Sequence, residues 1–268
     1  MTIAKDVSII GAGHMGYAIA TGLIQSSPNI SIAAIDLDHV HDKEMEDMGI
    51  HVLNSLPEHS ASKVMILAIP PQAFIKFAEI NSQIKHHAGI TVSVMAGINL
   101  SDLVGHLETS QVCRAIPNLS CAVNEGMSVL MYAPRTMQKN RRVVNELFSK
   151  LGSFLIVEEE KLIDDATALV GGGPAYVSYF AQALIEYALM AGFDKPDAYS
   201  MVAQTLRGSS ALLELYKESP AKICENVMTP NGTTEKAISF FKEKKVQAII
   251  MDGLKYACAR SRELGRRP

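Results

Sequence analysis

The sequence predicts an α/β protein in two parts: an open parallel sheet over residues 1–160, then an all-helical region over residues 161–268. Three observations predict it. The apolar run Val7-Ser8-Ile9-Ile10 leads into Gly11-Ala12-Gly13-His14-Met15-Gly16, followed by a helical stretch from Tyr17 to Gln25. Short apolar runs then alternate with helical periods, the pattern of an open parallel sheet. After Glu160 the strand signals fade and helical periodicity takes over.

The glycine stretch has a chemical reading. In a strand–turn–helix unit, Gly11 allows the tight turn, Gly13 lets the backbone approach a pyrophosphate, and Gly16 lets the helix pack closely on the strand. The anion rests on free N–H groups at the helix N-terminus. The alternative is a plain turn. Ile30–Ile35 is the next strand and ends at Asp36, about 20 residues past the glycines, where a carboxylate can accept both ribose hydroxyls of an adenine nucleotide. Asp36-Leu37-Asp38 repels a 2′-phosphate, and no Arg or Lys precedes Lys43, so charge favours NADH over NADPH. The other reading of Asp36 is a cap on the next turn.

The remaining strands of the first part are 50–53, 63–69, 90–95, 111–115, 128–132 and 153–157. Pro70-Pro71 stops the fourth strand, and a helix runs from there to about Ile84. Ser101 reads as the N-cap of a helix to about Leu107, and another helix spans about Met137 to Leu151. A ligand crevice in such a sheet lies at the carboxyl ends of the strands: Gly11–Gly16, Asp36, Ala68–Gln72, Ala96-Gly97 and Arg114–Asn118. Glu158-Glu159-Glu160 reads as a solvated start to the first helix of the second part.

In that second part, a helix from Lys161 to about Leu169 is interrupted at Gly171-Gly172-Gly173, and Pro174 opens the next, which stops at Gly192. The helix from Pro196 to about Tyr216 is apolar on more than one face (Met201, Val202, Leu206, Leu212, Leu213, Leu215) and must be buried all round. About 105 residues of helix form a thin shell for it, so a second copy of the chain is expected to cover it, giving an intertwined dimer.

Composition bounds the function. Net charge is −3 with 20% charged residues, so no broad basic face is expected and nucleic acid is an unexpected partner. The four cysteines have no metal-like spacing and read, with no signal sequence, as reduced thiols of a cytoplasmic protein. No apolar run reaches membrane-spanning length, and no metal site is expected. All eight histidines, from His14 to His106, lie in the first part, which excludes a histidine base in the helical part. His14, within the glycine turn, is a candidate phosphate contact. The remaining candidate is Asn226–Thr234, where a loop containing Gly232 enters a helix at Thr233-Thr234. Free N–H groups and hydroxyls there can hold a carboxylate without a cation, though an ordinary threonine N-cap also fits.

The motifs 165–176, 203–208, 226–234 and 257–264 resemble those of pyrroline-5-carboxylate reductases, as do 68–72, 96–98 and 114–118. The resemblance covers nearly the whole chain. It implies a Rossmann-type sheet with a C-terminal all-helical dimerisation domain, whose dimers can associate further. It implies reduction of 1-pyrroline-5-carboxylate to L-proline by NAD(P)H. It also implies site residues: Gly11, Ala12, Gly13, His14, Met15, Gly16, Asp36, Ala68, Pro70, Gln72, Ala96 and Asn226 for the cofactor. Thr229, Gly232, Thr233 and Thr234 would hold the substrate, with Thr234 as catalytic hydrogen-bond donor. The chain departs from the family pattern at Pro70, Val170, Gly172 and Asn231. Those departures leave open a related reductase of another imine or keto acid, or a nucleotide-binding scaffold without turnover.

Overall fold

The apolar runs become the strands of one eight-stranded sheet in the computed structural model, which describes residues 5–36, 39–57 and 62–264. Leu37, Asp38, His59 and the basic end at Arg266-Arg267 lie outside the described residues. The strands are β1 (Val7–Ile10), β2 (Ile32–Ile35), β3 (His51–Leu53), β4 (Val64–Leu67), β5 (Ile90–Ser93), β6 (Val112–Ile116), β7 (Gly126–Tyr132) and β8 (Gly152–Ile156), in the order β3-β2-β1-β4-β5-β6-β7-β8. The order steps outward from β1 first to one side and then to the other, as crossover helices on opposite faces require.

Alternate residues of each strand serve the two faces. Val7 and Ile9 of β1 join Ile19 and Leu23 of α1 (His14–Ser26), Met45 of α2 (Asp42–Asp47) and Phe148 of α5 (Gln138–Ser149) in one core. Ile10 joins Phe74 and Ala78 of α3 (Phe74–Ile80) and Leu103 and Leu107 of α4 (Leu100–Leu107) in the other. All four residues of β1, β2, β4 and β5, and all five of β6, are buried, which explains their mostly apolar character, with Ser8, Thr91, Ser93 and Arg114 as buried polar exceptions.

Three local expectations are corrected. β7 runs antiparallel to β6, and β8 parallel to β7, so the sheet is parallel from β3 to β6 and again between β7 and β8. Pro117 to Glu125 holds a single 3-10 turn and is shorter than the roughly dozen residues of a parallel crossover. The helix after Pro70 is broken into a 3-10 turn (Pro71–Ala73), α3, and a second 3-10 turn (Ser82–His86). The N-cap of α4 is Asn99, not Ser101: the Asn99 Oδ1 accepts from the Asp102 N–H at 2.8 Å and from the Ser101 hydroxyl at 2.7 Å.

The second part is helical: α6 (Glu160–Ala166), α7 (Gly173–Met190), α8 (Lys195–Tyr216), α9 (Pro220–Val227), α10 (Thr233–Glu243) and α11 (Val246–Leu264). The glycines between α6 and α7 interrupt the helix as expected: α6 passes into a π turn, Thr167–Gly171, Gly172 is a bend, and α7 starts at Gly173 beside Pro174. By contacts, α6, the π turn and the end of α11 from Tyr256 belong with the sheet, and Ala175–Lys255 form a separate unit. In the first of these units, the Cys258 thiol and Arg262 Nη2 both donate to Asp165 Oδ1, at 2.8 and 3.1 Å.

The helical unit has little interior of its own. Its described core is Ile185 and Ala188 of α7 against Ala198 and Val202 of α8. Tyr179, Tyr187, Met190 and Leu215 are exposed, Tyr179 by 86%. A single chain therefore does not bury α8 all round. Among the described residues no helix is long and apolar enough to cross a membrane, and no group of His, Cys, Asp and Glu could hold a metal ion.

At the amino ends of the strands, Asp6 ties three segments together. Its carboxylate accepts from the Ser31 N–H at 3.0 Å, the Ser31 hydroxyl at 2.9 Å and Lys63 Nζ at 2.7 Å. The lysine ammonium and the serine N–H hold its pKa at about 2, below the usual 3.8. A carboxyl whose folded pKa is depressed stabilises the fold above its unfolded pKa and loses that contribution as pH falls through the folded value. Asp6→Asn is expected to cost about 1 kcal/mol at neutral pH, the scale of a half-exposed pair. The gap between parent and variant in urea unfolding should close as pH falls from 3.8 to about 2.

Candidate functional site

The parallel strands put their carboxyl ends along one edge, and the first sequence-derived site residues gather there. β1 is pinned on both sides at its end: the Gly11 N–H donates to Ile35 O and the Ala68 N–H to Ile10 O, each at 2.8 Å. Gly11 has φ +90°, and a Cβ on it would lie 2.7 Å from the Ala68 carbonyl oxygen. A Cβ on Gly16 would lie 2.0 Å from the Gly11 carbonyl oxygen. Both positions therefore demand glycine for the fold itself. Gly13 differs: its φ is −61° and nothing lies within 4 Å of an added Cβ. The space over Gly13 is open, and Gly13 caps α1 without any side chain on the first N–H groups. A helix terminus of that kind suits an anion. Ala12 is fully buried and Met15 packs on the core, so these two offer only main chain, whereas His14 is exposed.

Asp36 follows β2 directly, one residue beyond the strand end that accepts from Gly11. It is 8% exposed, and its Oδ2 is buried with no hydrogen-bond partner. It does not cap the next helix, because the N-cap of α2 is His41. An unpartnered buried carboxylate oxygen is costly, and beside an open glycine turn it fits a ligand that brings hydroxyl groups. Ala68 follows β4 directly, Pro70 and Gln72 lie exposed at the start of and within the 3-10 turn after it, and Ala96 precedes Gly97 (φ +80°) just past β5. Imidazoles stand near the start of α2. His41 stacks on Tyr17 with centroids 4.2 Å apart, and His39 Nδ1 lies 2.6 Å from Asp42.

Sequence reasoning missed the charge cluster at the same edge. Arg114 of β6 is 1% exposed. It donates to Glu160 Oε1 at 2.6 Å and Asp164 Oδ1 at 3.3 Å, and Glu160 Oε1 also accepts from the Leu100 N–H at 2.7 Å. Glu160 is thus no solvated helix-start charge: it fastens α6 and the start of α4 to the sheet. The available signal was an arginine inside an otherwise apolar strand, because a buried cation requires a partner.

In the helical unit the Thr229–Thr234 turn is tightly built. The Gly232 N–H donates to Thr229 O at 2.8 Å, and a Cβ on Gly232 would lie 2.2 Å from the Thr229 hydroxyl. Asn231 is left-handed at φ +61°, and its N–H donates to Glu235 Oε2 at 2.6 Å. The N-cap of α10 is Gly232, not a threonine, and no side chain caps it. The first N–H groups of α10, from Thr233 on, therefore have no side-chain acceptor. Thr234 is half-buried, and Thr229 and Thr233 are exposed. Asn226 is exposed and donates to Glu218 Oε2 at 3.2 Å.

Comparison with known proteins connects these turns. A family model described as pyrroline-5-carboxylate reductase dimerisation matches residues 160–264, and one described as coenzyme F420-dependent NADP oxidoreductase matches residues 6–97. The pyrroline-5-carboxylate reductase of Arabidopsis thaliana is 31% identical over 265 residues, covering 97% of this chain and 95% of its own. The chain belongs to the pyrroline-5-carboxylate reductase family. Pyrroline-5-carboxylate reductase 3 of Mus musculus is 30% identical and covers 100% of this chain and 98% of its own. The fold agrees with the solved pyrroline carboxylate reductase of Plasmodium falciparum with NADP bound, at a TM-score of 0.87 and 21% identity over 98% of each chain.

For this family member, the glycines divide by role. Gly16→Ala is expected to destabilise the fold by about 2 kcal/mol or more, because the backbone must move apart. Gly13→Ala should stay within about 0.5 kcal/mol of the parent. Thermal unfolding of the two variants without nucleotide checks the contrast.

Proposed function

We propose that this chain is an NAD(P)H-dependent pyrroline-5-carboxylate reductase, forming L-proline from 1-pyrroline-5-carboxylate. The observation that carries the reading is similarity running through both units, so that the glycine turn and the threonine turn occur together in one family member. The glycine turn, the orphaned Asp36 oxygen, Ala68, Pro70, Gln72 and Ala96 suit a dinucleotide, with His14 and Asn226 as further contacts. The division of labour follows the sequence expectation: residues 1–160 hold the cofactor, and residues 161–268 hold the substrate and the dimer contact.

When bound, the reduced nicotinamide supplies the hydride. The chain's own residues position the acceptor. The substrate carries a carboxylate, and the uncapped N–H groups at Thr233 and Thr234, with the Thr229 and Thr233 hydroxyls and the Gly232 turn, are suited to hold it. A protonated cyclic imine is already electrophilic, so position is the main requirement and no histidine base is needed. The Thr234 hydroxyl, half-buried beside those amides, donates a hydrogen bond to the ring nitrogen of the neutral imine, and its oxygen accepts the N–H once that nitrogen is protonated.

The same reading makes the helical unit a homodimer contact, and dimers can associate further. Its exposed Tyr179, Phe180, Tyr187, Met190, Ile249 and Ile250 support that, as does the dimerisation model that matches it. Free cysteines and the absence of a spanning helix among the described residues support a cytoplasmic enzyme.

Oxidation of NADH or NADPH with 1-pyrroline-5-carboxylate as sole acceptor tests the function, and a six-membered imine tests the ring size. No turnover with bound cofactor would turn the reading towards a nucleotide-binding scaffold. Thr234→Ala is expected to lower kcat/KM by about 1–3 kcal/mol, the scale of an unpaired polar group, with cofactor affinity unchanged. Unchanged kinetics would remove Thr234 from the site. Gly13→Ala should weaken NAD(P)H binding in a titration while the fold holds.

A further inference from the structure

We propose that this chain selects NADH over NADPH and that Asp36 is the residue that discriminates, accepting hydrogen bonds from the adenosine ribose hydroxyls; this rests on the reductase reading above. The charge pattern of the sequence only leans this way. The structure adds three observations.

The first is placement. Asp36 is held against the glycine turn by the β1–β2 register, in which Ile10 pairs with Ile35 and the Gly11 N–H donates to Ile35 O. The carboxylate therefore stands beside the place where the main chain is open over Gly13.

The second is the state of the carboxylate. Asp36 is 8% exposed, and Oδ2 is out of solvent and accepts no hydrogen bond. It is not the N-cap of α2, which is His41. A buried anionic acceptor without a donor is a standing cost. A ribose with a free 2′-hydroxyl removes it with a charge-assisted hydrogen bond. A 2′-phosphate brings more negative charge and no donor to the same oxygen.

The third is the lack of a compensating cation. Residues 36–42 include no Arg or Lys, and Lys43 is exposed. Of the imidazoles nearby, His39 is engaged with Asp42, and His41 lies flat on Tyr17, with the His14 ring centred 6.4 Å from it. The contrast is with the description of the model matching residues 6–97, which names NADP, and with the Plasmodium falciparum structure, which has NADP bound.

Binding, separate from turnover, tests this. The intact chain is titrated calorimetrically with NADH and NADPH, and with ADP-ribose and its 2′-phosphate, at about pH 8, where ordinary imidazoles are neutral. NADH is expected to bind about tenfold or more tighter than NADPH, and ADP-ribose to show the same preference over its 2′-phosphate. Asp36→Asn should weaken NADH several-fold and strengthen NADPH, bringing the ratio to within about threefold. The free variant should be at least as heat-stable as the parent, since an unpartnered buried charge is removed. If Asp36→Asn does not fold, Asp36→Ser gives the same reading. Equal or tighter binding of NADPH by the parent, or an unchanged ratio in both variants, would overturn the assignment of Asp36. Failure of every nucleotide to bind would overturn the reductase reading together with it.

Discussion

Backbone meets backbone at the end of β1, and the rest of the nucleotide edge depends on that contact. Gly16 leaves no room for a Cβ against the Gly11 carbonyl, and Gly11 leaves none against Ala68. The first helix can then start directly over the strand end, with its N–H groups unfilled. Because β1 is flanked by β2 and β4, the same contact fixes where Asp36 and Ala68 come to rest. Moving α1 outward by even the width of a methyl group would displace the open N-terminus from the carboxylate beside it. The glycines are therefore first a packing requirement, and the ligand chemistry follows from what that packing leaves exposed.

The two units meet the cost of ordering a chain differently. The sheet unit buries apolar side chains on both faces, with an arginine held inside by two carboxylates. Buried ion pairs of this kind contribute little net stability but are costly to break singly. Arg114 thus specifies where α6 lies more than it stabilises the fold. The helical unit closes only a four-residue core, while Tyr179, Phe180, Tyr187, Ile249 and Ile250 are exposed. Exposed apolar surface of that kind marks an interaction site.

The strands of the sheet were legible because a strand buried on both faces is mostly apolar, and β1, β2, β4, β5 and β6 are, with Ser8, Thr91, Ser93 and Arg114 as the exceptions. Asp36 was legible because the end of β2 is fixed by its spacing from the glycines. The direction of β7 was not: hydrophobic runs carry no sign, and only the shortness of the Pro117–Glu125 connection decides it. The π turn was hidden because three glycines and a proline mark where the helix is interrupted and not how the turn before the interruption is wound. Asn99 and Ser101 are both good caps by type, and geometry chose Asn99 by letting its carbonyl reach Asp102. The Arg114–Glu160 pair spans 46 residues, a distance at which local pattern says nothing about partners.

The two candidate turns differ in charge. At the glycine turn, Asp36 offers a buried carboxylate oxygen without a donor, which on the proposed reading favours hydroxyls over phosphate. At the threonine turn the situation is reversed: donors without acceptors, on a helix terminus that favours anions. Glu235 already accepts the Asn231 N–H there, one step outside the helix, so a carboxylate is an acceptor this turn can hold. On the proposed reading neither arrangement needs a residue that titrates near neutrality: fixed dipoles and a fixed charge would do the selecting, and a reaction whose electrophile is supplied by the substrate can run on position alone.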